Sequence, residues 1–381
     1  MENGVMKNGI AAIVIALALG LSGCGQNPTR VASQGPALGR GKMNRLVVAA
    51  SDYHTGALST IDLETGKIAA DAVPIFSDAI VRGGGSQGEL FVVNRLGADN
   101  LQVISDDTKT LLQFSVGRSS NPQDVAVIDD HTAYVSRYAS PSLLKVDPST
   151  GTAMKEIDLE QVRGVDLSSS PDPDGLPEMT YLRRSGGKLL VSLERLNERA
   201  GFAPTGISLL AVLDLSNDSV QWRKLAFTNP ITDFKTGYDG ALYLGEAGNL
   251  SDSRHLTGGI ERIDPATGAE LGTVITEAAL GGFIVDFEIT GQHTGFAIVS
   301  TPDTKLVSFD PATGKLGTVL RAPKGYTLQQ LAWDSDRGLV YLADRALKQP
   351  CIRTYDAKLL TEVSSLVWPL DLPPYQMALV D

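Results

Sequence analysis

The sequence of 381 residues contains little cysteine, few aromatic residues and only four histidines. Two cysteines cannot supply the disulfide framework of a small secreted scaffold, and a hydrophobic content of 43% is too high for an intrinsically disordered chain. Positive charge is also scarce, because 33 Lys and Arg are outnumbered by 44 Asp and Glu. The resulting formal charge of −11 argues against general binding to nucleic acid or to anionic membrane surfaces.

The common catalytic motifs are missing as well. No Gly-x-Ser-x-Gly, His-Glu-x-x-His, P-loop or dinucleotide-binding pattern occurs where a strand and a helix would support it. The absence of Cys-x-x-Cys-His excludes covalently attached c-type haem. No segment has a sustained helical period, whereas short runs of β-forming residues bounded by Gly, Asp or Asn recur throughout. The sequence therefore predicts an all-β protein and identifies no reaction.

The first 23 residues have the pattern of a secretion signal. Lys7 precedes an apolar run at residues 10–19, which is too short to span a bilayer. The run ends in Leu-Ser-Gly-Cys at residues 21–24, which resembles the bacterial lipobox. That resemblance implies cleavage before Cys24 and acylation of its thiol; the alternative is an ordinary signal peptide or a buried helix with an accidental cysteine.

Acyl chains on Cys24 would anchor the protein to a membrane of the cell envelope. The residue after the cysteine is Gly25, not Asp, which by the same resemblance favours the outer membrane of a Gram-negative bacterium. Residues 24–42 are rich in Gly, Pro, Ser and Gln and predict a flexible tether. Residues 43–381 then form the folded domain, in which Cys351 is expected to be a half-buried structural residue.

One unit, a short strand followed by an Asp and a turn, recurs along the folded domain. Clear copies are TIDLETGK at 60–67 and SFDPATGK at 308–315. The Asp, Pro, Thr and Gly of these copies are turn formers. The seven aspartates, separated by 44, 41, 67, 50, 46 and 46 residues, are Asp62, Asp106, Asp147, Asp214, Asp264, Asp310 and Asp356. A period in the forties built from short strands predicts a β-propeller of seven blades.

The two ends of the domain predict how the ring closes. PPYQMALVD at 373–381 aligns with NPQDVAVID at 121–129, an innermost strand, whereas RLVVAAS at 45–51 begins the first repeat at its second strand. The C-terminal strand should therefore complete the first blade and remove the exposed sheet edges. We predict a single seven-bladed propeller closed by a C-terminal inner strand.

The repeats resemble bacterial YVTN-type and quinoprotein-like seven-bladed propellers. The D-x-x-T-G turn also occurs in repeats that bind pyrroloquinoline quinone (PQQ), where a docking Trp follows soon after the Gly. Here no Trp follows these turns, and the three tryptophans are Trp222, Trp333 and Trp368. The departure from that pattern argues against PQQ as a cofactor.

Aligned positions at one mouth of the ring are polar in every blade. The starts of the inner strands are Asp78, Asp124, Glu178, Asp233, Asp286, Gln330 and Gln376. Four ends of second strands are Arg95, Arg137, Arg195 and Arg345. One interpretation is a set of ion pairs within blades, Asp78–Arg95, Asp124–Arg137 and Glu178–Arg195. The other is a polar funnel that binds a charged ligand or a partner peptide.

One sector of this ring lacks an arginine. Asp233 faces Glu246, and Asp286 begins the next blade, so three carboxylates should lie near one another. Such carboxylates require a cation or a shared proton, and oxygen ligands of this kind suit Ca²⁺. The alternative is neutralisation by Lys235, Arg254 or Arg262.

Four long connections, at 160–177, 196–206, 247–259 and 346–351, could carry specificity. We expect a binding or scaffold module for an envelope protein, a peptide or a small ligand. The alternative is a divalent-cation-dependent enzyme, lactonase- or lyase-like, that works at the central funnel. Propellers host both kinds of function, so the fold does not decide between them.

Overall fold

Seven antiparallel sheets surround a central channel in a computed structural model that describes residues 45–250 and 255–380. The predicted signal peptide, Cys24 and the tether lie outside the described residues. So does Arg254, one of the cations predicted to neutralise the carboxylate sector. The prediction of an all-β, seven-bladed propeller is confirmed.

Each blade has four strands that run from the channel outward. From the inside out they are, in blade 1, Pro374–Val380, Arg45–Ser51, Gly56–Asp62 and Ile68–Ile75; in blade 2, Ala79–Gly83, Leu90–Asn94, Asn100–Ile104 and Thr110–Ser115; in blade 3, Pro122–Asp129, Thr132–Arg137, Ser142–Asp147 and Thr152–Asp158; in blade 4, Met179–Ser185, Lys188–Leu193, Leu209–Asp214 and Val220–Lys224; in blade 5, Lys235–Thr236, Leu242–Glu246, Gly259–Ile263 and Glu270–Thr276; in blade 6, Phe283–Gly291, Thr294–Ser300, Thr304–Asp310 and Lys315–Arg321; and in blade 7, Leu328–Asp334, Leu339–Asp344, Cys351–Asp356 and Thr361–Glu362.

Few other elements are present in the described ranges. The strand Trp368–Pro369 also pairs with the third strand of blade 7. A small hairpin, Leu196–Asn197 with Ala203–Pro204, lies in the second of the four predicted connections. The α-helix Glu277–Leu280 has four residues and the 3-10 helix Glu198–Ala200 has three. No helix in this part of the chain has the length and apolar character needed to cross a bilayer.

Ring closure occurs as predicted. The strand Pro374–Val380 pairs antiparallel with Arg45–Ser51, with Val47 opposite Ala378 and Val48 opposite Met377. The last strand of the chain thereby becomes the innermost strand of the first blade. The pairing covers the inner edge of the strand Arg45–Ser51, which favours closure because an unpaired strand edge is a liability.

The core lies between neighbouring blades. Successive residues of a second strand are buried whichever face they point to, as Leu46, Val47 and Val48 illustrate at 0% exposure. Phe91 of blade 2 packs in one cluster with Val135 of blade 3. Burial of apolar side chains on both faces of each sheet is the main force that holds the ring together.

Six of the seven repeat aspartates cap their turns as expected. Asp62, for example, accepts hydrogen bonds from the Glu64 and Thr65 amides at 2.9 and 2.8 Å. The exception is Asp106, whose carboxylate instead pairs with Arg45 of the neighbouring blade. Ser105 occupies the turn position there, because its amide bonds to the Lys109 carbonyl. The alignment of this weaker copy was wrong by one residue.

Candidate functional site

A funnel opens along the centre of the ring at the mouth where the inner strands begin. It encloses about 1370 Å³, a volume that includes space open to solvent, and its wall receives side chains from all seven blades. Six of the eleven residues predicted to form a polar ring line it. They are Asp78, Arg95, Asp233, Asp286, Gln330 and Gln376.

The predicted ion pair between Asp78 and Arg95 is confirmed. The Arg95 Nε donates to Asp78 Oδ1 at 2.8 Å, and the Arg95 Nη1 donates to Gln123 of blade 3 at 2.7 Å. The Tyr375 hydroxyl accepts a third bond from the same guanidinium. The charge of Arg95 is therefore satisfied within the wall of the funnel.

The predicted pair between Asp124 and Arg137 is wrong. Asp124 is fully buried and binds Arg82 of blade 2 through two bonds of 2.8 and 3.1 Å. Arg137 turns outward and pairs with Glu156 at 2.8 Å. A shift of register between Pro122 and Asp124 opposite the second strand accounts for the difference, because it changes which side chains share a face.

Arg82 also binds Asp233 of blade 5, with 2.8 Å between its Nη1 and Asp233 Oδ2. Burial by itself would lower the pKa of Arg82, but the two carboxylates raise that pKa above its ordinary value. Arg82 therefore stays charged and joins blades 2, 3 and 5 at the wall of the funnel. This arginine was not among the predicted site residues.

The predicted pair between Glu178 and Arg195 is also wrong. Glu178 Oε2 accepts from the Leu196 amide at 2.9 Å, and Arg195 donates to the carbonyls of Ser170 and Ile207. Burial raises the pKa of Glu178 to about 10, so this carboxyl is protonated at neutral pH. A neutral Glu178 needs no arginine.

Arg345 lies beside the funnel between two aromatic rings. Its guanidinium carbon is 4.7 Å from the centroid of Tyr53 and 5.4 Å from that of Tyr375. Its Nη2 donates to the Ser51 carbonyl at 3.0 Å, across the junction of blades 7 and 1. The arginine thus supports Tyr375, which does line the funnel.

Four of the predicted ring residues connect one blade to the next. In each case a side-chain oxygen accepts from a backbone amide on the neighbouring inner strand. The pairs are Asp124 with Leu182 at 2.9 Å, Asp286 with Leu331 at 2.7 Å, Gln376 with Val81 at 2.8 Å, and Gln330 with Met377. Part of the polar ring is therefore a structural connection between blades.

The three carboxylates predicted as calcium ligands are not brought together. Asp233 is engaged by Arg82, and Asp286 by Lys235 at 3.2 Å. Glu246 accepts from the Phe227 amide at 2.6 Å. Burial raises the pKa of Glu246 well above its usual range, and Glu261 nearby adds to the increase. Neutralisation by Lys235, the alternative, holds for Asp286; calcium binding stays a prediction without this ligand set.

Several residues of the wall were not predicted. Glu194 lines the funnel and accepts a hydrogen bond of 3.2 Å from the Tyr138 hydroxyl. Burial raises the pKa of Glu194 to about 8, although the bond from Tyr138 opposes this shift. The hydroxyls of Tyr181 and Tyr326 and the amide of Gln329 make no hydrogen bond with any described residue.

No protein-family model matches the sequence, and no curated protein matches it. Solved structures do. The dihydro-heme d1 dehydrogenase NirN, solved in complex with DHE, is 15% identical with a TM-score of 0.57, over 92% of this chain and 79% of NirN. A putative 6-phosphogluconolactonase from Bacteroides fragilis is 14% identical with a TM-score of 0.57, over 89% and 98%. Virginiamycin B lyase from Staphylococcus aureus is 11% identical with a TM-score of 0.54, over 79% and 91%. At these identities the likeness establishes the propeller fold alone.

Proposed function

We propose that this protein is a lipid-anchored module of the cell envelope that binds a small polar ligand in its central funnel. The observation that carries the proposal is the funnel itself. Side chains from all seven blades meet in about 1370 Å³. Pockets for small ligands are concave and combine apolar surface with a few placed polar groups, as this funnel does.

Binding is favoured over catalysis because the charged groups of the wall are already paired. Arg82 and Arg95 in the wall and Lys235 behind it each contact carboxylates, which fixes their positions. Within residues 45–250 and 255–380, no three His, Cys, Asp or Glu side chains are grouped to hold a metal ion. Rigid, satisfied side chains are suited to orienting a ligand.

A thermal-shift screen of the purified protein against a broad library of small metabolites tests the proposal. A ligand that binds the folded state raises the melting temperature by mass action. Gln329→Trp should abolish the shift, because Gln329 lines the funnel and its side chain makes no hydrogen bond with the described residues. The matched control is Gln87→Trp in an exposed turn at the opposite end of blade 2.

The proposal predicts at least one compound that stabilises the wild type and Gln87→Trp but not Gln329→Trp. A library without any such compound would overturn it. Peptides belong in the same screen, because an envelope protein or peptide is the other kind of occupant that the sequence suggested. If only peptides raised the melting temperature, the occupant of the funnel would be a protein partner and not a small ligand.

The anchor is a separate part of the proposal and rests on the lipobox-like sequence before Cys24. Cells fed an alkyne-bearing fatty acid should label the wild-type protein and leave Cys24→Ala unlabelled. The wild type should fractionate with the outer membrane, as expected from Gly25 after the cysteine. Equal labelling of both proteins, or none, would remove the anchor and leave the funnel proposal unaffected.

A second candidate function is an enzyme acting at the same funnel, of the lactonase or lyase type. Glu194 favours it, since a carboxyl whose pKa is raised to about 8 by burial is protonated at pH 7 and can serve as a general acid. Turnover of a lactone or ester panel that Glu194→Gln abolishes would support this function. The absence of turnover by the wild type would exclude it for those substrates.

A further inference from the structure

We infer that the ligand of the funnel is a neutral, hydroxyl-rich ring compound such as a monosaccharide, and not an anion. This inference rests on the proposed function, because it concerns the same cavity. Two observations support it. The cations of the wall are already paired, whereas several uncharged polar groups of the wall make no hydrogen bond with the described residues.

The two arginines that line the funnel, Arg82 and Arg95, and Lys235 behind them are not available to an anionic ligand. Arg345, beside the funnel, is buried between Tyr53 and Tyr375. Arg82 is held between Asp124 and Asp233, with 2.8 Å to each. Lys235 lies between Asp286 at 3.2 Å and Glu288 at 2.9 Å, and also donates to the Leu331 carbonyl. Binding of a phosphate or carboxylate group would require one of these buried pairs to break, which leaves a carboxylate without its partner.

Arg95 is engaged in the same way by Asp78, Gln123 and Tyr375. The carboxylates at the wall and directly behind it are at least as numerous as the cations. Five carboxylates, Asp78, Asp124, Asp233, Asp286 and Glu288, stand against four cations, Arg82, Arg95, Lys235 and Arg345. An anion would therefore enter a region with no surplus of positive charge.

The free polar groups are suited to hydroxyls. Asp78 and Asp233 use one carboxylate oxygen each for their arginines, and their side chains are 20% and 24% exposed. The second oxygen of each can accept from a ligand hydroxyl. Tyr181 and Tyr326 can donate, and the Gln329 amide can do both. A hydroxyl both donates and accepts, so a polyhydroxylated ligand can satisfy this mixed set.

Aromatic surface supplies the remaining part of the site. Tyr181, Tyr326 and Tyr375 all line the funnel. The Tyr181 hydroxyl lies within electrostatic range of Arg95, Arg82 and Asp233, so it stands among the groups that would bind hydroxyls. Tyrosine rings offer an apolar face beside a polar tip, which matches a ring compound with C–H faces and hydroxyl edges.

Saturation-transfer NMR with glucose, galactose and mannose tests the inference, each sugar being supplied in neutral, 6-phosphate and 2-amino forms. The three forms share a ring and differ mainly in charge. At least one neutral sugar should bind, and its 6-phosphate should bind at least about 10-fold more weakly. Tyr181→Phe should weaken binding about 3- to 10-fold through the loss of one hydroxyl, while its melting temperature stays near that of the wild type.

Gln329→Trp should abolish the signal, and Gln87→Trp should retain it. Preferential binding of a phosphate or of an amino sugar would overturn the inference. Failure of all nine sugars, combined with a funnel-dependent hit from the metabolite library, would also overturn it but would leave the proposed function standing. Failure of both screens would overturn the inference and the proposed function together.

Discussion

Arg82 and Asp124 join two neighbouring blades through paired hydrogen bonds, with Nε 2.8 Å from Oδ1 and Nη2 3.1 Å from Oδ2. The side chain of Asp124 is fully buried, and that of Arg82 is 17% exposed. The same guanidinium reaches Asp233 of blade 5. One arginine thus connects three blades around the funnel and binds two of the carboxylates there.

Replacement of Arg82 by methionine should destabilise the protein by about 3–5 kcal/mol, because it leaves a buried carboxylate without its cation. Urea unfolding followed by circular dichroism measures the change. The matched control is Arg118→Met at an exposed position, for which we expect a change below about 0.5 kcal/mol. Addition of Asp124→Asn to the Arg82 variant should recover part of the loss. If Arg82→Met were as stable as the wild type, Arg82 would not have the structural role of joining the blades.

The amide of Gln376 connects the closing strand to blade 2, because its Oε1 accepts from the buried Val81 amide at 2.8 Å. Gln376→Leu should cost about 1–3 kcal/mol, since it leaves that amide without an acceptor. Limited proteolysis should cut the variant faster at the closing strand than the wild type. Gln87→Leu, in an exposed turn, is the control. Equal stability and proteolysis of Gln376→Leu and Gln87→Leu would show that the bond does not support closure.

Glu246 and Glu261 form a buried pair on neighbouring strands of blade 5, at 0% and 1% exposure. Burial raises the pKa of both, and Glu261 raises that of Glu246 further. The folded protein therefore keeps a proton that the unfolded chain releases above its ordinary pKa of about 4.5. The contribution of this pair to stability is complete below that value and is lost as pH rises toward the raised pKa.

Glu246→Gln should leave stability near pH 5 unchanged and increase it by about 1–3 kcal/mol at pH 8, because the amide stays neutral. Urea midpoints between pH 5 and pH 8 measure this. Glu270→Gln, an exposed position on the same blade, should keep most of the wild-type pH dependence. Burial also raises the pKa of Glu277 and Glu288 to about 7. These two groups also lower the stability as pH rises, so Glu246→Gln removes only part of the loss of stability between pH 5 and pH 8. Lower stability of Glu246→Gln than of the wild type at pH 8 would mean that a cation holds the pair.

Removal of divalent cations should leave the melting temperature unchanged to within about 1 °C, because Asp233 and Asp286 already have Arg82 and Lys235 as partners. Melting curves with EDTA and with added Ca²⁺ measure this. Asp286→Asn should lower stability equally in both conditions, because it leaves the Lys235 ammonium with one carboxylate fewer. A loss of stability in EDTA that Ca²⁺ restores would restore the calcium hypothesis.

The fold could be predicted from the sequence because its evidence is repeated seven times. The strand Arg45–Ser51 has the predicted bounds, and the closing strand follows from an incomplete first repeat. An error in one repeat does not change the result. The turn position assigned to Asp106 is in fact occupied by Ser105, yet the repeat was still recognised. The blade count therefore does not depend on any single residue.

The site was harder to predict because its contacts cross between blades. The partner of Asp124 lies 42 residues earlier, on the neighbouring inner strand, and a register shift turned Arg137 away. Arg82 did carry a signal, since an arginine within a short apolar strand requires a buried partner. Glu194 was missed by one position: the sequence pattern places the end of the second strand at Arg195, whereas the strand ends at Leu193 and Arg195 has a positive φ of 52°.

A crystal structure of the wild-type protein with the strongest ligand from the metabolite screen is the most direct test of binding in the funnel. We expect density for that ligand within the funnel, in contact with Tyr181, while Arg82 still binds both Asp124 and Asp233. Density only on the outer surface, with an empty funnel, would contradict the claim that the funnel is the binding site.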